Sequence, residues 1–302
     1  MPNLFDKRLL IFTGKGGVGK STVAAAAAVA AARRGKRVLI VEIGEHERIP
    51  SIFGSPKAGY AGARVYTGRT PGSAPIWSMC LTARDALHEF AVRSMKFEML
   101  YTAVFENRGM RYFTAAAPGL NELTIMGKIE TLHRESLDSS KPAAPKFDLL
   151  VFDAPATGHA LALFNVPRMA MNMARMGPLH AKAERMWRLL ADPARTALNI
   201  VTLPEEMPVN EAIDLHGAAE KMRLPRGKVV VNGVCPDFFP DEHDHLRHLR
   251  EQAAPGEGLA AGIARAALDR AISAVLRREA HEEMIETLAK AGAGACRCGG
   301  HS

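Results

Sequence analysis

The amino-acid sequence predicts an α/β protein with a doubly wound, mostly parallel sheet. Short continuous apolar runs alternate with helical segments along the chain, which is typical of strands that are buried on both faces. The first unit is the most complete. The run RLLIF at residues 8–12 is followed by a glycine-rich loop, a helix-forming stretch that ends near Gly35, and a second run, RVLIVEIG, at residues 37–44. A helix between two such strands is the usual way to hold them parallel.

The same alternation predicts further strands and helices. FDLLVFD at residues 147–153 is the clearest central strand, and LNIVTLPEEMP and GKVVVNGVCP each indicate a strand followed by a loop. The spacing of apolar residues predicts a helix or helix pair at 81–105, and a helix from near Asn121 after a strand at YFTAAAP. Residues 241–290 favour helix, whereas 51–79 are rich in Gly, Pro and Ser and favour irregular structure with room for one edge strand.

Length and composition fit one domain. A chain of 302 residues can bury one large core, and we predict a single domain over 1–292 with a flexible cysteine-containing tail at 293–302. A small helical elaboration is expected at about 81–110 and 168–192. No apolar run reaches membrane-spanning length, the first residues lack a signal-peptide layout, and four cysteines form no disulfide framework. We therefore expect a cytoplasmic protein.

The chain is basic overall. Its 39 basic and 32 acidic residues give a net charge of +7, which is compatible with nucleic acid or with an anionic membrane face. The arginines are scattered rather than blocked, and this favours a solvated basic surface. Nucleic acid is therefore not an expected partner, and peripheral contact with a membrane stays open.

A phosphate-binding loop is the strongest motif in the sequence. GKGGVGKS fits the pattern G-x-x-x-x-G-K-[ST] at Gly14, Gly19, Lys20 and Ser21, between a predicted strand and a predicted helix. Its glycines allow backbone N–H groups to surround phosphate oxygens, and the start of the helix adds positive potential. Lys20 would reach the β- and γ-phosphates of ATP, and the Ser21 hydroxyl would ligate Mg²⁺. The predicted nucleotide contacts in this segment are Gly14, Lys15, Gly16, Gly17, Val18, Gly19, Lys20, Ser21 and Thr22.

A second lysine in the loop, Lys15, narrows the class of nucleotide-binding protein. Within one subunit it would crowd the like-charged Lys20 unless it pointed elsewhere. KGGVGK resembles the deviant Walker A loop of the family that contains the MinD, ParA and ArsA-type ATPases and nitrogenase iron protein. In that family the early lysine reaches across a dimer interface to the nucleotide of the partner. The resemblance therefore implies ATP-dependent dimerisation, as a homodimer or as a heterodimer with a related ATPase subunit.

The segment after the strand at 147–153 points to the ArsA-type branch. Asp153 ends this strand, where the class places the acid that holds Mg²⁺ through a water and senses the γ-phosphate. APATGHALALFNVP is similar to switch II of the ArsA-type ATPases, which include the arsenite-pump ATPase and the targeting ATPase for tail-anchored membrane proteins. APGLNEL, TLPEEMPVNEA and VVVNGV are similar to further segments of that branch, and the last implies that Asn232 lies against the adenine edge. These segments cover about two thirds of the chain in the same order.

One departure from the branch concerns switch I. The family pattern there is D-P-A-H-[SN], and its aspartate orients the attacking water. In this chain the strand ends in VEIGEHERIP, so the aspartate position falls on Gly44, with Glu42 and Glu45 as candidates for the catalytic carboxylate. If neither substitutes, the protein binds nucleotide but turns it over slowly. Both interpretations stay open.

Two further departures concern the end of the chain and the cysteines. Family members end with a further strand and a proline loop that closes over adenine, whereas KAGAGACRCGGHS predicts no such strand. Cys80 and Cys235 stand alone, so the metalloid-binding cysteines of the arsenite ATPase have no counterpart and arsenite transport is not expected.

The segment from 167 to 190 carries apolar residues at helical spacing on both sides of a Gly-Pro break. These residues are Met169, Met173, Met176, Leu179, Ala183, Met186 and Leu190. One interpretation is two helices that pack on the core, with methionine filling gaps. The other is a methionine-lined groove for a hydrophobic protein client, with residues 90–99 as its second wall.

Metal-ligating residue types occur in two other places. The histidines of DEHDHLRHLR fit a solvated helix face, and Cys296 and Cys298 supply at most two ligands on a Gly- and Ala-rich tail, whereas zinc prefers four. The predicted metal ligands are therefore Ser21 and Asp153, for Mg²⁺.

These residues together support an ArsA-type ATPase in which Mg²⁺-ATP closes a dimer and drives the binding or delivery of a cargo. Lys20 and the partner subunit's Lys15 would neutralise the γ-phosphate, and Asp153 would relay its loss to residues 157–159. One alternative is a nucleotide-gated targeting or chaperone subunit with little turnover, which Gly44 favours. Another is a ParA-like positioning ATPase, which the net charge favours and switch II argues against. A third alternative, an iron–sulfur carrier, is supported only by the tail cysteines.

Overall fold

The computed structural model describes residues 4–68, 70–95, 119–137, 147–240, 242–252 and 259–297. Within these ranges it confirms the predicted fold class, because helices flank a sheet of eight strands. The strands are β1 Leu9–Thr13, β2 Val38–Ile43, β3 Ala63–Tyr66, β4 Ile76–Leu81, β5 Leu149–Asp153, β6 Thr196–Thr202, β7 Arg226–Val231 and β8 Ala295–Arg297. Their order is β3-β4-β2-β5-β1-β6-β7-β8, and every pair is parallel except β3 with β4.

Helices lie on both faces of the sheet. They are α1 Lys20–Ala32, α2 Ile49–Ile52, α3 Ala83–Met95, α4 Leu120–Leu137, α5 Thr157–Met173, α6 Pro178–Ala191, α7 Glu206–Lys221, α8 His243–Gln252 and α9 Leu259–Lys290, with one 3₁₀ turn at Leu4–Asp6. In the described part of the chain, none of these helices is long and apolar enough to cross a membrane.

The central strands supply the core on both sides of the sheet. All residues of β1 and of β5 are buried. Leu10 and Phe12 pack against the alanine-rich face of α1. Leu9 and Ile11 belong to the opposite layer, which contains buried side chains of α4, α5 and α6. Because successive strand residues point to opposite faces, one continuous apolar run serves both layers.

The parallel strands bring the motifs together. The carboxyl ends of β1, β2, β5, β6 and β7 lie along one edge of the sheet, because these strands run in the same direction. The loops that follow β1, β2 and β5 contain the phosphate motif, Gly44 and the switch II segment, respectively. Open α/β sheets bind their ligands at this edge.

Residues 51–79 are more regular than the sequence predicts. β3 is the edge strand for which the sequence left room, but β4 is an interior strand that pairs in parallel with β2. Ser78 interrupts the apolar run of β4 and is nevertheless fully buried. This polar residue explains why the pattern did not indicate a strand. The four-residue helix α2 also extends into this segment.

The expectation that no strand follows the last helix is wrong. β8 pairs in parallel with β7, and Val230 lies opposite Cys296. Ala293 is fully buried just before β8, so the segment predicted as a flexible tail begins with ordered chain. Residues 298–302 lie outside the described residues. Main-chain pairing over three residues defines this strand, and such a short strand leaves no apolar pattern to recognise.

Helices occupy the described parts of the two segments predicted as a helical elaboration. α3 occupies 83–95 of the predicted segment at 81–110, and residues 96–110 lie outside the described residues, as does the strand predicted at YFTAAAP. α4 begins at Leu120, next to the predicted start at Asn121. The segment predicted at 168–192 is the end of α5 together with α6, and the chain turns between them at Gly177.

Candidate nucleotide-binding site

The phosphate loop connects β1 to α1 and requires glycine at its tightest points. Gly14 has a φ of 149°, and a Cβ atom there would lie 2.0 Å from the carbonyl oxygen of Val201 in β6. Gly19 has a φ of 88°, and its Cβ atom would lie 2.3 Å from Nδ2 of Asn232, which follows β7. Any side chain at these positions would clash. The loop therefore packs directly against the carboxyl ends of two strands.

The other predicted loop contacts differ in exposure. Gly16 and Gly17 face open space, Val18 is buried, and Thr22 is exposed in the first turn of α1. Asn232 donates a hydrogen bond from Nδ2 to the Val18 carbonyl oxygen, at 3.0 Å. This bond attaches the end of β7 to the loop. The role of Asn232 at the adenine edge stays a prediction.

Lys20 is the buried cation of the site. Its Nζ donates to the carbonyl oxygen of Lys15, at 2.8 Å. Burial lowers the pKa of Lys20, Asp153 opposes this shift, and the charge of Arg48 adds to it. An ammonium group has three donors, so the side chain keeps hydrogen-bonding capacity for phosphate oxygens.

Ser21 and Asp153 form the position predicted for Mg²⁺. The Ser21 hydroxyl donates to Oδ2 of Asp153, at 2.5 Å. The other carboxylate oxygen, Oδ1, is buried and has no hydrogen-bond partner among the described residues. Burial raises the pKa of Asp153, and Ser21, Lys20 and Arg48 oppose the shift. Because Mg²⁺ takes oxygen ligands and prefers carboxylates, the residues present fit this ion.

Lys15 forms an ion pair with α7. Its Nζ lies 2.8 Å from Oε1 of Glu211, and the two side chains are 28% and 39% exposed. The contact keeps the Lys15 ammonium bound to a carboxylate rather than beside Lys20. Solvent-exposed ion pairs contribute only about 0–1 kcal/mol to stability, so Lys15 can change partners at little cost. Its role across a dimer interface stays a prediction.

Glu42 holds the loop after β2 in place. It is buried at the end of β2, in register with Asp153 of β5. Its Oε2 accepts a hydrogen bond from the N–H of Arg48 at 2.8 Å, and the N–H of Ile49 lies 3.4 Å from both carboxylate oxygens. Burial raises the pKa of Glu42, the two backbone bonds oppose the shift, and Asp153 and Glu47 add to it. The carboxylate is therefore already engaged by the main chain.

Gly44 and Glu45 lie in the same loop. Gly44 has a φ of 135°, and its carbonyl oxygen accepts a hydrogen bond from the Cys80 thiol at 3.1 Å. Burial raises the pKa of Cys80 to about 11, so this thiol keeps its proton at neutral pH. Glu45 is exposed and makes no hydrogen bond or ion pair with the described residues. Of the two candidate carboxylates, Glu45 is the one that is free to meet a water molecule, and its role stays a prediction.

The switch II segment is attached to the strand that precedes the phosphate loop. The Thr13 hydroxyl donates to the Pro155 carbonyl oxygen, at 2.9 Å. α5 begins at Thr157, whose Oγ1 is buried and has no hydrogen-bond partner in the described ranges. A buried hydroxyl without a partner is available to a ligand. Residues 157–159, to which Asp153 is predicted to relay loss of the γ-phosphate, form the first turn of a long helix.

Three charged residues of this region are not indicated by the sequence motifs. Arg48 and Glu211 are described above, and the third is Glu47. The Glu47 carboxylate accepts hydrogen bonds from the N–H groups of Ala58, at 2.6 Å, and Gly59, at 3.0 Å. For Glu47 and Arg48 the signal in the sequence is only the density of charge in EHER, and Glu211 lies in TLPEEMPVNEA, whose similarity does not single it out. Neither segment indicates the partners of these residues. These contacts arise from tertiary structure.

The other metal hypotheses gain no support. In the described part of the chain, no group of three or more His, Cys, Asp or Glu side chains could hold a metal ion. His243 lies 3.2 Å from Asp237 and 3.9 Å from Glu279, as part of a charged surface on α8 and α9. Cys296 is exposed on β8, and the other two tail residues, at 298 and 301, lie outside the described residues.

Comparison with known proteins identifies the family. The chain matches the family model described as anion-transporting ATPase, ArsA_ATPase, over residues 7–182 and 170–254. ATPase BagA of Mycobacterium tuberculosis is 33% identical over 263 residues, which cover 85% of this chain and 73% of that protein. A putative arsenical pump-driving ATPase of Halobacterium salinarum is 27% identical, over 82% of this chain and 39% of that protein. ATPase GET3C of Arabidopsis thaliana is 21% identical, over 80% of this chain and 70% of that protein. The phosphate loop, the Ser21–Asp153 pair and these matches agree, and the chain belongs to the anion-transporting, ArsA-type ATPase family.

Proposed function

We propose that this protein is a Mg²⁺-dependent ATPase whose nucleotide state controls dimer closure and the binding or delivery of a cargo. The observation that carries the proposal is the bond between Ser21 and Asp153 beside the buried Lys20, with one Asp153 oxygen left without a partner. The names of the relatives as ATPases support hydrolysis. The free thiols of Cys80 and Cys235 fit the cytoplasm, where we expect the protein to act.

The chain's own residues supply most of the electrostatics of this reaction. Loop N–H groups surround the phosphates, and Lys20 exchanges the Lys15 carbonyl for phosphate oxygens. Asp153 and Ser21 hold the cation, and bound Mg²⁺ supplies Lewis acidity toward the phosphoryl oxygens. Glu45 orients the attacking water. Loss of the γ-phosphate changes the contacts of Thr157, and this change is transmitted into α5.

Dimer closure is the part of the proposal that depends on Lys15. The half-exposed ion pair with Glu211 is weak enough to open when a stronger anion is offered. A nucleotide in the partner subunit is such an anion, and the resemblance of the loop to the deviant Walker A pattern supports this exchange. The partner is a second copy of this chain or a related ATPase subunit.

The proposed cargo is a hydrophobic protein segment. Four exposed apolar residues lie where α5 turns into α6, and we call them the methionine surface: Met169, Met173, Met176 and Leu179, with exposed fractions of 48%, 84%, 84% and 41%. The other three residues of the predicted pattern, Ala183, Met186 and Leu190, are buried in the core. Core packing therefore accounts for one part of the segment, and the exposed part is what supports a groove for a client. Flexible methionine side chains suit apolar partners of varied shape. Side chains of the second predicted wall, 90–99, lie outside the described residues.

A nucleotide-gated targeting or chaperone subunit with little turnover is the second candidate. Gly44 has no side chain to orient water, and the Glu42 carboxylate is engaged by backbone N–H groups. Hydrolysis then depends on Glu45 alone. A ParA-like role on DNA has the net charge as its only support.

Steady-state release of phosphate from ATP separates the two candidates. We expect Lys20→Ala to reduce turnover by about 10²–10³-fold, the usual loss when one charge-stabilising group is removed. Glu45→Ala is expected to slow turnover while ATP affinity is retained. Lys57→Ala and Glu251→Ala are matched controls, because both side chains are exposed and lie outside the site.

The outcomes are distinct. Wild-type turnover that matches Lys20→Ala contradicts the enzyme proposal for the isolated protein. If such a protein still binds Mg²⁺-ATP, the targeting subunit is the better description. A Glu45→Ala variant with wild-type turnover removes Glu45 from the mechanism.

A further inference from the structure

Arg48 is held at the edge of the nucleotide site by its main chain. Its N–H donates to the buried Glu42 carboxylate at 2.8 Å, and Glu42 lies in register with Asp153 on the adjacent strand. Neighbouring strands are about 4.8 Å apart. The Arg48 main chain is therefore separated from the strand end that carries Asp153, the predicted Mg²⁺ ligand, by one carboxylate side chain and one strand spacing.

The Arg48 side chain is free to bind. It is exposed, and it forms no hydrogen bond or ion pair with the residues that the structure describes. Several other arginines are paired, such as Arg37 with Asp148 at 2.9 Å and Arg247 with Glu279 at 2.6 Å. Two carboxylates close to Arg48 in the chain, Glu42 and Glu47, are occupied by backbone N–H groups. An unpaired guanidinium offers a planar fork of donors that matches a phosphate.

The charge of Arg48 also acts within the site. It lowers the pKa of Lys20 on α1, and it opposes the increase in the pKa of Asp153 on β5. The charge of one guanidinium therefore shifts the pKa values of two groups on different elements. Lys20 and Arg48 repel each other in the absence of an anion, and a phosphate bound between them would remove this unfavourable interaction.

We propose that the Arg48 guanidinium contacts the terminal phosphate of ATP and supplies, from within the chain, positive charge that stabilises phosphoryl transfer. This inference rests on the proposed ATPase function. The loop after β2 would then supply a positively charged side chain, although Gly44 leaves it without a carboxylate at the switch I position. Arginine at the transferring phosphoryl group is an effective stabiliser of the transition state.

The reaction that Arg48 serves is the hydrolysis of the terminal anhydride bond. The oxygen of a water molecule forms a bond to the γ-phosphorus while the bond to the β,γ-bridging oxygen breaks. The electron pair leaves with ADP, and the water proton ends on the released phosphate or in solvent. Arg48 keeps its protons throughout and acts only by charge and hydrogen bonds.

Nucleotide binding gives a test that does not depend on turnover. Affinity for ATPγS and for ADP, each with Mg²⁺, is measured by calorimetry for wild type, Arg48→Ala and Arg48→Lys. We expect Arg48→Ala to weaken ATPγS binding by about tenfold or more, because a hydrogen bond to a charged group is lost, and to leave ADP affinity unchanged. Arg48→Lys is expected to restore part of the ATPγS affinity. Arg33→Ala, at an exposed position after α1, is the matched control and should bind both nucleotides as wild type does.

Single-turnover phosphate release completes the test, with Lys20→Ala alongside. Arg48→Ala is expected to slow release by about 10²-fold or more. Unchanged ATPγS affinity and release, or equal weakening of ATPγS and ADP, overturns the proposal for Arg48. If Lys20→Ala binds nucleotide as well as wild type, the ATPase proposal itself fails. Because Glu42 binds the main chain of Arg48, the substitutions keep that bond, and thermal unfolding of each variant checks that the loop is intact.

Discussion

At the scale of single residues, Asp153 has a cost for folding that its proposed role in Mg²⁺ binding would explain. Its carboxylate is buried, one of its oxygens has no partner among the described residues, and burial raises its pKa. Folding therefore favours the protonated form, whereas binding of Mg²⁺ needs the charged form. A residue that served only stability would be expected to have its second oxygen satisfied.

Asp153→Asn is expected to stabilise the nucleotide-free protein at neutral pH. A carboxyl group whose folded-state pKa is raised contributes stability below its unfolded-state pKa and loses it as the pH rises through the folded-state value. The advantage of Asp153→Asn over wild type should therefore be largest at neutral pH and disappear below about pH 4, the usual pKa of aspartate. The same substitution should abolish stabilisation by Mg²⁺-ATP.

Urea unfolding midpoints between about pH 4 and pH 7.5, with a chelator present, measure this effect. Asp244→Asn is the control, because the Asp244 side chain is 99% exposed and its neutralisation should change little. Equal midpoints for wild type and Asp153→Asn at neutral pH contradict the interpretation. So does a difference that does not vary with pH.

The sequence predicts those site residues that belong to short local motifs. Lys20, Ser21 and Asp153 occupy fixed positions relative to a strand end, so their types and spacing were enough to name them as candidates. Arg48 and Glu211 could not be found in this way. Their surroundings are set by other elements. Only the folded chain shows that the Arg48 side chain has no partner among the described residues and that Glu211 binds Lys15.

At the scale of elements, α5 connects the nucleotide site to the proposed cargo surface. Its first residue, Thr157, follows Asp153 closely, and its last two turns carry Met169 and Met173. Under the proposed function, a shift at its first turn would be transmitted along this helix, past Pro167, to the methionine surface. This arrangement gives a physical route from the γ-phosphate to cargo binding.

The double substitution Met173→Glu with Met176→Glu tests the methionine surface. Both side chains are 84% exposed, so we expect a change in unfolding free energy within about 0.5 kcal/mol. Binding of a synthetic apolar helical peptide should be lost, because two charges replace its contact area. Fluorescence anisotropy of a labelled peptide, in the presence of Mg²⁺-ATPγS, measures this binding.

Ile263→Glu on α9 is the matched control for the methionine surface, because Ile263 is 62% exposed and lies on a different helix. It should leave peptide binding unchanged. A double variant that still binds the peptide with wild-type affinity excludes the methionine surface as the cargo site. Loss of binding in the Ile263 variant as well would show that the peptide adheres without specificity.

The strands illustrate what a sequence pattern can and cannot reveal. β1, β2 and β5 were predicted because they are buried on both faces and leave nearly continuous apolar runs. β6 and β7 were predicted from shorter apolar runs, and only the second half of β7 is buried. β4 escaped prediction because a buried serine interrupts its run. β8 escaped because its pairing with β7 uses main-chain groups over three residues. The apolar pattern therefore predicts the strands of the central core. It does not predict strands whose position is determined by pairing with neighbouring strands.

At the scale of the whole molecule, the site is exposed along one edge of the sheet. The phosphate loop, the loop after β2 and the start of α5 all lie at the carboxyl ends of parallel strands. Lys15 is half-exposed at this edge, and among the described residues its ammonium group is paired with Glu211. A second subunit that approaches this edge could therefore meet Lys15, Glu45 and Arg48 together.

Sedimentation velocity of wild type, Lys15→Ala and Glu211→Ala, with Mg²⁺ and either ATPγS or ADP, shows directly whether ATP-dependent dimerisation requires Lys15. Glu211→Ala is the matched control, because it removes the partner of Lys15 within the chain and leaves the lysine in place. We predict that wild type and Glu211→Ala form dimers with ATPγS but not with ADP, and that Lys15→Ala stays monomeric with both. Dimerisation of Lys15→Ala to the wild-type extent would contradict the account and leave Lys15 as an ordinary loop residue.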